Sequence, residues 1–514
     1  MTSTTGGPGG STRVVMRGEK TFQGSNNALI VIDGVPMINT NRNTGRDARY
    51  QVDFGNRGND VDPNDIESVT VLKGAAAAAL YGEQAAGGAI MITTKSGRGR
   101  NNAKNKAFAY SSSFTLSNIL KFPEFQNTYG QGDVHGIADD RRENFSWSTP
   151  FDGQLRPWGQ IINGQQMVKP YVAQPDNVKS FFNTGRTWEN NVQFGGANEK
   201  GNYFISLNAL NNKGVVPNTF FDRYSIRFNG AMDLPNKMYS SINFSYINVN
   251  QRVESQGQGE SGIYNQLIQT PRDIPVWELK DYNNPFHSMG IVDALGIERY
   301  GYYGAYTANP YWIADNVDNR MRSDRIMGNN IIGIRPNSHW DIFNRVGVDF
   351  STDRATLKIP KYSFLPFEED YYQSGGEPQR QTSNGGYTED NTNSILFNND
   401  LIATYNHDLS TDLGFSALAG ANFQLNRVNR LRSSIDEQTN GLNIPGYYNL
   451  NNNQGPITVN DPDIVGRSPN FETRRVSLYG QVSLNYQRML FLEFTGRNDW
   501  SSTLTPGLWS FFYP

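Results

Sequence analysis

Between residues 104 and 514 the chain alternates apolar and polar positions over one stretch after another. In 202–209, Tyr203, Ile205, Leu207 and Ala209 share one face, with Asn202, Ser206 and Asn208 opposite. Tyr224, Ile226 and Phe228 oppose Ser225, Arg227 and Asn229, and Ile242, Phe244 and Tyr246 oppose Ser241, Asn243 and Ser245. Trp340, Ile342, Val346 and Val348 stand against Asp341, Arg345 and Asp349, and Leu490, Leu492 and Phe494 against Glu493, Thr495 and Arg497. A period of two is the mark of strands with one apolar and one polar face. It predicts eleven strands, near 105–117, 187–197, 201–212, 221–232, 237–250, 324–335, 338–352, 394–407, 411–426, 473–487 and 489–500.

Their connections alternate in length. Short turns fall at 198–200, 233–237, 336–337, 407–411 and 487–488, whereas 118–186 and 251–323 far exceed the usual loop of about 4–6 residues. Tight turns at one end and elaborate loops at the other describe an outer-membrane barrel, whose strands need only about 9–11 residues to span. An open edge in hydrocarbon leaves backbone groups unpaired, and bacterial barrels are even-numbered. The strands are therefore expected to be about half of a larger transmembrane antiparallel β-barrel.

Residues 1–100 have a different texture. Ala28 to Ile32 reads as a buried strand ending in an Asp33-Gly34 turn. Asp62 is placed to cap a helical turn with Pro63 at its first position. A strand from Ser68 to Leu72 leads through Gly74 into five alanines, Ala75 to Ala79, a strong helix-forming run that Tyr81-Gly82 closes. Another strand is expected over 89–94, following Gly88. This is a small mixed α/β module, with its beginning expected to be missing.

Composition narrows the function. Hydrophobic residues make up 37% and charged residues 18%, and the gap is filled by Asn, Ser, Thr, Gln and 51 glycines. Forty-six basic and 49 acidic residues leave a net charge of −3, which removes a whole-protein case for nucleic acid binding. With no cysteine there is no disulfide, Cys zinc site or thiol nucleophile. The four histidines, His135, His287, His339 and His407, are too far apart in sequence to suggest paired ligands. No apolar run is long enough for a transmembrane helix, and residues 1–11 lack the apolar region of a signal peptide.

The ordered segments 6–18, 28–36, 62–74, 75–82 and 85–95 together resemble the plug domain of TonB-dependent outer-membrane transporters, in the SusC/RagA branch of Bacteroidota. The 496–503 segment, Gly-Arg-Asn-Asp-Trp-Ser-Ser-Thr, resembles a mid-barrel segment of that branch. The resemblance implies a 22-strand barrel with the plug in its lumen, residues 1–103 forming the C-terminal part of the plug and 104–514 the first half of the barrel. It assigns Asp33, Gly34, Asp62, Pro63, Gly74, Tyr81, Gly82 and Gly88 to the structural plug motif. It further implies a SusD-like surface lipoprotein as lid, TonB–ExbB–ExbD acting through a missing N-terminal segment, outer-membrane lipid around the barrel, and an oligosaccharide or peptide substrate. Where the branch usually has Ser-Arg after Tyr-Gly, this chain has Glu83-Gln84, reversing a local charge.

Trp147, Trp158, Tyr302, Tyr303, Tyr306, Tyr311 and Trp312 fall in the two longest loops. They could stack on sugars or meet a lid; loop packing or an interfacial aromatic girdle is the plainer and favoured reading. Asp53, Asp60, Asp62 and Asp65 lack the order of a Ca²⁺ loop and read as caps and turn residues. Asp33 reads as a turn residue bonding local backbone. Glu19 interrupts the Gly18–Lys20 fragment of a phosphate loop, and the adjacent acids Glu368, Glu369 and Asp370 read as solvated rather than as a glycosidase pair.

No metal, cofactor or catalytic residue is expected. The leading function is import of a large nutrient at the cell outer membrane. The alternative is a barrel serving as a structural or assembly subunit of a larger outer-membrane complex. A secreted carbohydrate-binding protein fits poorly, because it would bury the apolar strand faces against each other.

Overall fold

The computed structural model describes residues 2–3, 7–16, 18, 26–43, 51–97, 107–131, 145–162, 164–257, 262–287, 291–292, 298–299, 308–362, 383–437, 439–461, 469–505 and 507–513. None of the described helices is long and apolar enough to cross a membrane.

The N-terminal module is a four-stranded sheet. Strand β1 (Leu29–Ile32) turns at Asp33-Gly34 into β2 (Val35–Pro36), and β3 (Ile66–Leu72) leads through helix α1 (Gly74–Tyr81) to β4 (Ala89–Thr94). The order is β2–β1–β4–β3, with β1 and β4 parallel and the other pairs antiparallel. The β1–β2 turn is tight because Asp33 and Gly34 both take positive φ, 49° and 83°. Ahead of β3 lie an antiparallel ribbon, Asn41–Asn43 with Asp53–Asn56, and two 3₁₀ turns, Arg57–Asp60 and Pro63–Asp65.

Most of the rest is one large antiparallel meander. Its strands are β5 (Ala107–Ser117), β6 (Gly185–Asn198), β7 (Gly201–Lys213), β8 (Phe220–Asp233), β9 (Met238–Val253) and β10 (Asp318–Ile334). They continue as β11 (Trp340–Tyr362), β12 (Ser383–Asp408), β13 (Leu413–Ile435), β14 (Phe471–Tyr486), β15 (Leu490–Ser501) and β16 (Ser510–Tyr513). Each pairs with its neighbour in chain order, so β5 and β16 are the two outer strands of the ladder. Side-chain geometry sets the tight turns. Asn198 accepts from the backbone N–H of Lys200 and Gly201 (2.9 and 2.8 Å), and Asn236-Lys237 and Gln487-Arg488 supply paired positive φ angles.

The apolar faces point outward. Tyr224, Ile226 and Phe228 are 46%, 48% and 37% exposed, while Phe221, Arg223, Ser225, Arg227 and Asn229 on the other face of β8 are buried. That is the inverse of a water-soluble sheet, and it suits a wall with hydrocarbon outside and a polar interior. The apolar sides therefore do not stack on one another as in a dry two-layer sandwich. The N-terminal module sits inside this wall, and its Ile30, Ile32 and Met37 pack against Phe221, Ile247 and Met327.

Among the described residues the ladder has twelve successive strands where alternation predicts eleven. The additional one, β16, is a short run, Ser-Phe-Phe-Tyr, with no alternation to mark it. Several strands also climb beyond their predicted limits, most clearly β12, which begins at Ser383 rather than near 394.

Candidate functional site

The contact between the N-terminal module and the surrounding wall is built from charge. Arg325 of β10 donates from Nη1 to Asp60 Oδ2 (2.9 Å), and grips Asp349 of β11 with Nε and Nη2 (2.8 and 2.7 Å). Asp60 also accepts from Arg42 (3.2 Å), and Asp349 accepts from the backbone N–H of Ile38 (2.9 Å). Arg57 reaches the other way, donating to Asp353 (2.7 Å) and to Ser351 Oγ. From β8, Arg227 Nε pairs with Asp65 (3.0 Å), and Arg223 donates to the carbonyls of Asn59 and Val61 (3.0 and 3.1 Å).

Acids of the module thus face wall arginines, and an arginine of the module faces a wall acid. Burial raises the Asp60 pKa, but the charges of Arg42 and Arg325 outweigh it and hold the carboxyl below its ordinary value. Asp62 is raised instead, by burial and then by Asp65, with Arg223 opposing. Sequence reasoning treats Asp60 and Asp65 as caps or turns; in the structure they are ion-pair partners of the wall. Asp62 does cap, accepting from the Asn64 N–H (2.9 Å) with Pro63 at the first turn position, but the element is a 3₁₀ turn. Asp53 holds Ser11 through its N–H and hydroxyl (3.0 and 2.6 Å).

The predicted motif residues are spread along the module. Asp33 does more than hold its own turn: its carboxylate accepts from Thr94 N–H (2.9 Å) and Oγ1 (2.7 Å), tying the end of β1 to the end of β4. Asn229 of β8 then donates to Thr94 Oγ1 (2.9 Å) and to the Lys95 carbonyl (2.6 Å), so this tie reaches the wall. A Cβ on Gly34 would run into the Arg345 guanidinium, so the turn needs glycine for space as well as for φ. Gly88 lies just before β4, and its carbonyl accepts from the Leu29 N–H (3.0 Å). Gly74 opens α1 and Tyr81 closes it. Arg497 of β15 caps α1 by donating to the Leu80 carbonyl (2.6 Å), where a cation also meets the negative end of the helix dipole. Gly82 follows with φ +72°, against Asp499.

Beside α1 lies a polar cavity of about 180 Å³, lined by Tyr81, Arg345, Asp400, Gln424, Arg475 and Tyr479 among others. Burial pushes the Tyr81 hydroxyl up to about 12, so it stays a neutral donor at physiological pH. Gln84, in the departure from the branch pattern, accepts from Arg475 at 3.5 Å, and Glu83 is exposed.

The long loops fold together. Helices α2 (Asn177–Phe181), α3 (Ile263–Gln269) and α4 (Pro310–Asn316) supply a core of their own, with Phe181, Leu267, Ile274, Leu279 and Ile313 all buried. Buried polar groups stitch it: Asn309 caps α4 and donates to the Leu279 and His287 carbonyls (2.8 Å each), and Lys169 pairs with Asp273. Trp158 and Trp312 belong to this core, 2% and 5% exposed, so packing accounts for both. Trp147 is 58% exposed, its ring 5.9 Å from that of Tyr129. Tyr302, Tyr303 and Tyr306, like Glu368, Glu369, Asp370, Glu19, Lys20 and His135, lie outside the described residues. The sequence separation of His339 and His407 misleads. Ladder pairing of β11 with β12 brings their rings to 4.7 Å, edge to face, near the short-turn rim.

The family described as TonB-dependent Receptor Plug Domain matches residues 1–89. TonB-dependent receptor P26 of Formosa agariphila is 24% identical over all of this chain and 45% of its own length. TonB-dependent receptor SusC of Bacteroides thetaiotaomicron is 28% identical over 51% of this chain and 22% of its own. The RagAB peptide importer in its open-open state aligns with a TM-score of 0.67 at 19% identity, covering 99% of this chain and 52% of that one. The chain spans about half the length of the curated relatives that it matches end to end.

Proposed function

We propose, from the premise that this chain is a plug-and-barrel segment of a SusC/RagA-type TonB-dependent receptor of the bacterial outer membrane, that the receptor imports a large nutrient by displacement of its plug. The nutrient is a glycan or peptide oligomer, TonB–ExbB–ExbD supplies the energy, and a SusD-like surface lipoprotein closes over the loops. In this reading residues 1–103 are the plug and 104–514 the first half of the barrel.

The observation that carries the reading is the character of the plug's seat. Arg325, Arg227, Arg223 and Asp353 hold it through directional charged bonds. Buried ion pairs contribute little net stability beside an apolar core, because desolvation offsets their attraction, yet they define one geometry sharply. Such a seat is specific when closed, and its charged groups can be hydrated when a pull opens a path. The folded loop unit adds a firm surface beneath a lid, and Trp147 gives it an exposed aromatic. The substrate class follows the proteins it resembles, among them the RagAB peptide importer.

Deleting the locus tests this. Growth on one polymeric glycan or peptide source should be lost, with growth on its monomers unchanged. Undiminished growth on every such polymer would overturn the importer reading.

A further inference from the structure

Strands β10 and β11 set two arginines face to face. Arg322 and Arg354 share one rung of the ladder, on the outward surface, and both are exposed. Directly opposed residues have Cβ atoms about 4.5–5.5 Å apart, and like charges so placed repel. Neither guanidinium has a hydrogen bond or ion pair to any described residue. On the next outward rung toward the loops Arg252 also opposes Arg320, but there an acid is within reach: Asp318 is shared by Arg320 at 2.8 Å, Arg252 at 3.0 Å and Lys358 at 3.6 Å. Asp324, one outward position nearer the short turns, feels the charge of both Arg322 and Arg354 without forming an ion pair with either, and its Oδ1 accepts from the Tyr246 hydroxyl and the Asn248 amide (2.6 and 2.8 Å). The rung is completed by Asn250 beside Arg322 and Asn391 beside Arg354, neither with a side-chain partner among the described residues.

Its height on the wall is informative. Four residues toward the short turns, Ile326 pairs with Phe350, and these outward side chains are 40% and 39% exposed. They mark the upper part of the lipid-facing belt. Four residues rise about 13 Å along a strand, or roughly 10 Å of height at the usual barrel tilt. The arginine rung therefore stands above the hydrocarbon on the loop side, level with outer-leaflet headgroups. The adjacent Ser323 and Asp353 face inward and bond each other at 2.6 Å, so Arg322 and Arg354 are turned away from the lumen and its cargo.

We propose that the rung Asn250–Arg322–Arg354–Asn391 binds the phosphate of an outer-leaflet glycolipid. Two guanidinium forks offer parallel N–H donors to one phosphate, and the anion replaces their mutual repulsion with shared attraction. The flanking amides suit sugar hydroxyls next to that phosphate. A headgroup fits better than free phosphate because the rung is continuous with the belt, so acyl chains can lie over Ile326 and Phe350. The inference rests on the outer-membrane placement of the barrel and not on which nutrient is imported.

The test uses the full-length receptor purified in mild detergent, with retained glycolipid measured by mass spectrometry and phosphorus content. Heat-modifiable migration on a gel reports barrel folding independently. R322A/R354A should retain about ten-fold less phosphorylated glycolipid while still folding. R322K/R354K, which keeps charge without the fork, should fall between. R320A, removing an outward cation that already has Asp318 as a partner, should retain the wild-type amount. Equal retention by R322A/R354A would overturn the proposal, as would equal retention of dephosphorylated glycolipid by the wild type. Displacement by inorganic phosphate alone would assign a free-anion site instead. An acidic protein held through these arginines in place of lipid would likewise overturn it.

Discussion

Arg325 and Asp60 meet at 2.9 Å across the plug–wall boundary, each only 1% exposed. They lie 265 residues apart in the chain. Arg325 also carries Asp349, so one guanidinium compensates two carboxylates, one from each side of the boundary. Removing one member of a buried charge cluster strands the others, at about 3–5 kcal/mol. Arg325→Ala should therefore loosen the plug by roughly that amount while the barrel stays folded. Limited proteolysis of the plug, read beside heat-modifiable gel mobility, checks it; a plug as protected as the wild type would show that the pair is not what seats it.

The same cluster fixes a pH dependence. Asp60 is held below its ordinary value, so its contribution is fully present above the unfolded carboxylate pKa of about 3.9 and is lost as pH falls through the lower folded value. Asp62 is raised, so it acts in the opposite sense, its contribution falling as pH rises through the folded value. Plug protection from protease should thus decline steeply only in strong acid, and Asp60→Asn should flatten that acid limb. An unchanged acid limb in Asp60→Asn would assign the loss to other carboxylates.

Asp33 offers a more local check. Its two carboxylate oxygens accept from Thr94 N–H and Oγ1, and the tie passes to the wall through Asn229. Hydrogen bonds to charged groups are worth about 1.5–3 kcal/mol. Asp33→Ala should cost about that much in plug stability, and Asp33→Asn, which keeps φ tolerance and one acceptor, should cost less. Thermal unfolding of the purified receptor with a fluorescent label on the plug measures both. An Asp33→Asn receptor as stable as the wild type, with Asp33→Ala alone destabilised, would place the role in turn conformation rather than in the Thr94 contact.

The strands were legible wherever hydrocarbon imposes alternation, as in β8, where Tyr224, Ile226 and Phe228 face out and Ser225, Arg227 and Asn229 face in. The pattern disappears where water lies on both sides. The first half of β12, through Tyr387, Glu389 and Asn391, is a strand without an apolar face, and its pairing to β11 and β13 defines it. Plug turns and caps were legible because they are local: Gly34 needs positive φ and Asp62 caps Asn64. The charged seat was not. The partners of Asp60 and Asp65 lie on other strands, and nothing near either acid in sequence distinguishes an ion pair from a turn. His339 and His407 are hidden in the same way, brought together only by ladder register.

The loop tryptophans separate packing from contact. Trp158 is buried with Val178, Phe181, Ile263 and Trp312, and its ring lies 6.2 Å from that of His287. Truncating a buried tryptophan costs about 3–5 kcal/mol, by lost burial and the cavity left behind. Trp158→Ala should therefore open the loop unit to protease and lower its unfolding temperature. Trp147 is largely exposed, and its replacement by alanine should change stability by no more than about 0.5 kcal/mol. If Trp147 contacts cargo or lid, Trp147→Ala will weaken oligomer or lipoprotein binding with the loops intact, and Trp158→Ala will weaken binding only in step with loop unfolding. Binding isotherms at temperatures below and above loop unfolding distinguish the two. A Trp158→Ala receptor that keeps its loops folded but loses binding would move that residue from the core to the contact surface.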